Sequence, residues 1–147
     1  MGLGSFGEHL PEFKNYAFLD KTKKDKWGLP LLAVDCEFGE NERKMRIDMK
    51  NDAAEILEAA GLKDVKSFDK PAIPGMAIHE MGTARMGHDP KTSVLNKWNQ
   101  MHDVKNVFVT DGAFMSSSAC QNPSLTYMAF TARACDHAVN ELKKGNL

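Results

Sequence analysis

The stretch that decides the fold is His79–Gly87, H-E-M-G-T-A-R-M-G, read with Cys120–Thr126, C-Q-N-P-S-L-T, whose Asn122 lies 43 residues after His79. Histidine suits a base at neutral pH, because its unperturbed pKa of about 6.5 lies near working conditions. His79 sits between Ile78 and a turn of small residues. Gly82, Thr83, Ala84 and Gly87 let the backbone come close to a planar ring. Asn122 reads as the N-cap and Pro123 as the first residue of a helix running to Lys144. A helix amino terminus carries about half a positive charge and unpaired backbone donors. Taken alone, His79 also reads as a hydrogen-bonded core residue and Asn122 as a plain cap; the complete H-x-x-G-T-x-R-M-G string is what points to a site.

Together and in this order, the two segments resemble the carboxy-terminal signature of the glucose–methanol–choline (GMC) flavoprotein oxidoreductases. The likeness runs to Leu147 and is strongest from His79 onward. The resemblance implies that His79 and Asn122 are the catalytic pair facing the flavin and the substrate alcohol. It implies FAD as cofactor and no metal. Asp111, Gly112 and Ala113 would run beside the flavin and its diphosphate, and the backbone of Pro123, Ser124, Leu125 and Thr126 would lie near the ring. Asp111 reads equally as a turn former. Arg85 is expected to be structural, a buried guanidinium paired with a carboxylate. The N-P-S-L-T segment is most similar to the pyranose oxidase, gluconate dehydrogenase and glucoside 3-dehydrogenase group. That implies a sugar or sugar acid as substrate and an electron carrier as acceptor.

The resemblance covers the family's carboxy-terminal substrate domain, so residues 1–147 are expected to be one such domain. The fold class expected is α+β: a mixed, largely antiparallel sheet with helices packed on one side, ending in a strand and a long helix that would pack on an FAD-binding domain. That amino-terminal domain, in the same parent chain or in a second one, is the expected partner. Without it the hydrophobic faces of the last strand and helix are expected to be exposed, and the lone chain is not expected to turn over. A second reading, a non-catalytic small-molecule binding or assembly module with vestigial His79 and Asn122, is disfavoured by the intact motif positions.

The bulk numbers agree with a globular protein. The chain has 147 residues, 42% hydrophobic and 27% charged, with a formal net charge of −1. That balance argues against a nucleic-acid binder, and Lys23–Lys24 and Lys143–Lys144 read as solvated surface. Cys36, Cys120 and Cys135 show neither a C-x-x-C pair nor zinc-like spacing. No apolar run has the length of a membrane span and no signal peptide is evident; for the parent protein a soluble, bacterial-type cytoplasmic or periplasmic setting is the expectation, and the absent leader does not decide it.

Gly2–Gly7 matches the dinucleotide fingerprint G-x-G-x-x-G letter for letter, but Pro11 falls where the required helix should run, and the motif is rejected. Tyr16–Leu19 is a short strand candidate followed by a charged connector through Lys26. Leu31–Phe38 alternates, with Leu32, Val34, Cys36 and Phe38 on its apolar face. Asn41–Ala60 repeats Met45, Met49, Ala53, Ile56 and Leu57 at helical steps, with Gly61 as the stop. Val65–Phe68 is a short strand candidate, and Pro71 and Pro74 punctuate the approach to the first motif. Asn106–Asp111 reads as a buried strand. The closing helix carries a stripe of Leu125, Met128, Ala129, Ala132, Val139 and Leu142. His9, His88, His102 and His137 are assigned no role, Ser116–Ser118 sit in no nucleophile elbow, and Cys120 reads as a bland thiol.

Overall fold

A computed structural model describes residues 1–70 and 72–147, so Pro71 lies outside the described residues. The chain forms two compact units, Met1–Ala77 and Ile78–Leu147. Its α+β character is as expected: an antiparallel strand pair and two long helices.

In the first unit, β1 (Tyr16–Lys24) and β2 (Pro30–Asp35) form a hairpin. The charged segment expected to be a connector is instead the second half of β1. Pairing runs in register from Tyr16–Asp35 to Leu19–Leu32, then shifts, so that β1 advances five residues to Lys24 while β2 advances two to Pro30. Asp20 accounts for the shift. Its Oδ1 accepts from Thr22 N at 2.8 Å, Thr22 Oγ1 at 2.8 Å and Lys23 N at 2.9 Å, giving the extra residues local partners in place of the ladder. Those bonds, that from Lys23 first, hold the Asp20 carboxyl down at about 2. The turn is closed by Asp25, whose Oδ1 accepts from Trp27 N and Leu29 N, both at 2.9 Å, while Gly28 takes φ of +86°.

Helix α1 (Glu40–Ala59) begins at Gly39, which has no side chain to cap it. Glu42 supplies the missing acceptor. Its Oε2 accepts from Gly39 N at 2.8 Å and its Oε1 from Leu10 N at 3.0 Å, so one buried carboxylate both starts the helix and pins the preceding segment to it. The helix stops where the sequence places the stop: Gly61 adopts φ of +88°, with Gly61 N bonded to Glu58 O and Leu62 N to Leu57 O. The methionine stripe is half-buried rather than core; Met45 and Met49 lie under Gly7, whose added Cβ would meet Met45 Cε at 2.7 Å. Val65–Phe68 forms no strand. It is held instead through Asp69, which receives Arg46 Nε at 3.1 Å and Nη2 at 2.6 Å.

In the second unit the loops of 78–123 pack on α2 (Ser124–Lys143). The buried hydrophobic side chains among the described residues, Leu95, Phe114 and Ala134, all belong to this unit. The expected strand Asn106–Asp111 is not continuous: the segment holds a single bridge, Phe108 to Gln100, and a bond from Val109 N to Asn99 O at 2.9 Å. Side chains complete the pairing that a ladder would have supplied. Asn99, fully buried at φ of +60°, donates Nδ2 to Val109 O at 3.0 Å, and Gln100 donates Nε2 to Lys105 O at 2.7 Å. Arg133 of α2 reaches across to Lys97 O at 2.5 Å, and His137 stacks on Trp98 at 4.6 Å. No described helix is long and apolar enough to cross a membrane.

Glu42 yields a prediction with a definite sign. The amides of Leu10 and then Gly39 lower its carboxyl pKa, so its contribution is present at neutral pH and is lost as pH falls below the ordinary carboxylate range. Glu42→Gln can satisfy one of the two amides and should cost about 1–2 kcal/mol. Hydrogen exchange should show Leu10 or Gly39 N–H unprotected in the variant, and urea midpoints should fall less steeply with acidification than in the parent.

Candidate functional site

The first motif is a spur of extended backbone laid along a second one. Ala84 N donates to Ala113 O and Met86 N to Phe114 O, both at 3.0 Å. Farther along, Gly87 N donates to Leu95 O at 2.8 Å, and Arg85 O accepts from Val94 N and Leu95 N at 3.2 Å. Arg85 therefore supports the loop through its carbonyl. Its side chain is exposed and pairs with no carboxylate among the described residues, contrary to expectation. Gly82 is required by its φ of +89° and not by space, since an added Cβ would meet Met115 O at an ordinary 3.6 Å.

Gly112 is required by space. A Cβ there would lie 2.8 Å from Glu80 O and 2.8 Å from Tyr127 Oη. Three stretches meet at that point: the residue after His79, the turn Gly112–Phe114, and the first turn of α2. Asp111 initiates the middle one, its Oδ1 accepting from Ala113 N at 2.9 Å, so the turn-former reading of Asp111 is the one observed. Tyr127 Oη also lies 3.8 Å from Met81 Sδ, and burial, followed by the charges of Asp111 and Glu80, pushes the phenol pKa up. Phe114 stacks on Phe130 at 4.7 Å beneath the same junction.

At the second motif the cap differs from expectation by one residue. Pro123, buried, holds the N-cap position with φ of −88°, and exposed Asn122 stands outside the helix. A proline cannot cap with its side chain, so the first-turn N–H groups of α2 receive no side-chain partner. Asn122 is freed from the cap. Neither its amide nor the half-buried His79 ring makes a hydrogen bond or ion pair among the described residues, and no observed contact joins the two. The junction does bring together Glu80, Asp111–Ala113 and the start of α2.

Beside the junction is a groove of about 270 Å³ lined by Met86, Phe114, Met115, Ser116, Thr126 and Phe130. It is a shallow groove with sulfur and aromatic walls and the hydroxyls of Ser116 and Thr126 at its rim. Larger in volume, about 470 Å³, is a shallow groove along α1 between Asn41 and Asn51, which contains none of the motif residues. No cluster of His, Cys, Asp and Glu able to hold a metal occurs among the described residues. Three of the four unassigned histidines have structural partners: His9 beside Asn15, His102 beside Ser93, His137 on Trp98.

Tyr127, Phe130, Ala134 and His137 were not singled out in the sequence. They recur at three- and four-residue steps on α2, and it is this face, rather than the stripe of Leu125, Met128, Ala132 and Val139, that packs inward. The stripe faces out, with Leu125 78% and Met128 68% exposed.

The family model described as GMC oxidoreductase matches residues 13–131. The chain is 41% identical to 2-methyl-1,2-propanediol dehydrogenase of Mycolicibacterium austroafricanum over 135 residues, covering 90% of this chain and 24% of that protein. It is 34% identical to the fructose dehydrogenase large subunit of Gluconobacter japonicus over 146 residues, covering 98% of this chain and 26% of the relative. To the gluconate 2-dehydrogenase flavoprotein of Pantoea cypripedii it is 31% identical over 139 residues, covering 89% and 22% respectively. The chain thus spans about a quarter of the length of these curated relatives.

Gly112→Ala should destabilise the second unit by about 1–3 kcal/mol through overpacking. Adding Tyr127→Phe should recover part of that loss by removing the hydroxyl contact, and thermal unfolding of the two single variants and the double variant would measure the coupling. Additive losses would show that Gly112 and Tyr127 do not meet.

Proposed function

Because the chain belongs to the GMC oxidoreductase family, we propose that residues 1–147 are the carboxy-terminal substrate domain of an FAD-dependent enzyme that oxidises the CH–OH group of a sugar, sugar acid or related alcohol. The observation that carries this reading is the junction at Gly112, which sets the residue after His79 against the start of the helix that follows Asn122. The names of the relatives support it: all three are dehydrogenases, of a diol, a sugar and a sugar acid. We propose an electron carrier as the acceptor.

In this reading His79 removes the hydroxyl proton of the substrate alcohol. Its ring is half-buried and its nitrogens are not engaged by other described residues, so it is available for that transfer. Asn122, displaced from the cap, offers its amide to the alcohol oxygen and orients the carbinol C–H. Bound FAD supplies the hydride acceptor. With FAD bound, the uncapped N–H groups at Ser124, Leu125 and Thr126, with Pro123 fixing the turn, would stabilise negative charge that develops on the cofactor. Asp111 spends its carboxylate on the turn, which presents the backbone of Gly112 and Ala113 to the cofactor. The remaining cofactor contacts belong to an amino-terminal FAD-binding domain, in the same parent chain or a second one.

The test is a visible absorbance spectrum of the chain combined with a GMC FAD-binding domain. A flavin spectrum that bleaches on addition of a sugar or alcohol is the expected result. His79→Ala should slow the bleaching by about 10²–10⁴-fold, the usual worth of a positioned base. Asn122→Ala should slow it while leaving flavin bound. A reconstituted pair that holds flavin yet is reduced by no alcohol would remove the hydride-transfer assignment and favour a binding or assembly module.

A further inference from the structure

We propose that the tip of the β1–β2 hairpin, residues 20–30, is a peripheral docking element for an anionic lipid surface. The inference does not depend on the oxidoreductase reading. The tip carries Lys21, Lys23, Lys24 and Lys26 against Asp20 and Asp25, on a chain whose formal net charge is −1. One oxygen of each aspartate is engaged by the turn: Asp20 Oδ1 receives Thr22 and Lys23 N–H, and Asp25 Oδ1 receives Trp27 and Leu29 N–H. None of the four lysines forms an ion pair among the described residues. The four lysines thus outnumber the two carboxylates at the tip, and none of them is tied into a short ion pair.

At the apex stand two apolar side chains, Trp27 at 74% and Leu29 at 62% exposure, with Lys26 Nζ 4.2 Å from the Trp27 ring centre. The sequence alone reads Lys23–Lys24 as ordinary solvated surface. What the structure adds is a turn fixed by five bonds to two carboxylates, with Lys26 against the aromatic ring at its crest.

Lipid is favoured over an acidic protein on three grounds. Protein interfaces deplete lysine and favour arginine, whereas a compact, strongly hydrated ammonium accommodates headgroups without fixed geometry. A convex turn offers far less than the roughly 800 Å² per partner of a stable protein interface. Tryptophan prefers the headgroup boundary, and clustered lysines are drawn to anionic leaflets.

The experiment is co-sedimentation of the 147-residue chain with vesicles of phosphatidylcholine alone and of equal parts phosphatidylcholine and phosphatidylglycerol, at low and high salt. The chain should bind the anionic vesicles, and less so as salt is raised. Replacing Lys21, Lys23, Lys24 and Lys26 together by glutamine should weaken binding at least about tenfold. Trp27→Ala, which leaves every charge in place, should weaken it several-fold. Circular dichroism of both variants checks that the fold is retained. Equal binding to the two vesicle types, or variants that bind like the parent, would overturn the proposal. So would poly-glutamate capturing the chain through the same lysines as tightly as the vesicles do, an outcome that assigns the tip to an acidic protein.

Discussion

The second unit depends on one steric constraint: at residue 112 there is room for a hydrogen and not for a methyl group. Glu80 O and Tyr127 Oη close on the Gly112 Cα from two sides. Close-packed matter transmits such a constraint, because a shift at one wall has no void to absorb it. Fixing Gly112 fixes the register of Ala84 against Ala113 and Met86 against Phe114. It also fixes how the first motif meets α2. The stacking of Phe114 on Phe130 then follows, since the turn that begins at Gly112 ends at Phe114.

Away from that point, polar side chains take the place of regular pairing. Asn99, Gln100 and Arg133 supply donors to the carbonyls of Val109, Lys105 and Lys97. A backbone carbonyl needs a partner wherever water does not reach it, and here side chains supply donors along a segment that is only partly buried. This is why the segment after Asn106 needs no continuous ladder. The first unit uses the same device with carboxylates: Asp20, Asp25 and Glu42 each accept from two or more backbone or hydroxyl groups where the ladder shifts, the hairpin turns or a helix begins.

The local signals were legible. Gly61 and Gly145 end their helices in left-handed conformation, as helix-stop glycines do, and α1 and α2 lie within a residue or two of where periodicity placed them. The rejected glycine fingerprint at 2–7 forms neither strand nor helix. What was not legible depended on contacts distant in sequence. A run of β-branched and aromatic residues at 106–111 implies a strand only if a partner strand is available, and Asn99 and Gln100 supply side-chain and isolated bonds instead. The lysine-rich half of β1 reads as a connector because lysine is a poor strand former; Asp20 makes it part of a hairpin. Asn122 and Pro123 satisfy the cap statistics one position early, and only the observed backbone separates a capping asparagine from a free one.

The candidate site shows the same division. The motif strings indicate which residues belong together, but the geometry assigns them unequal tasks: Asp111 and Gly112 build, Asn122 and His79 are left unengaged, and Pro123 leaves the helix start without a side-chain cap. The two faces of α2 extend the argument. Its inner face, Tyr127 to His137, is satisfied within the unit, while Leu125, Met128 and Val139 remain exposed on the other side. The uncapped amides at its start gain strength only when water is excluded from them. In the proposed oxidoreductase, one partner surface laid along α2 would cover the outer stripe and exclude water from the helix amino terminus together.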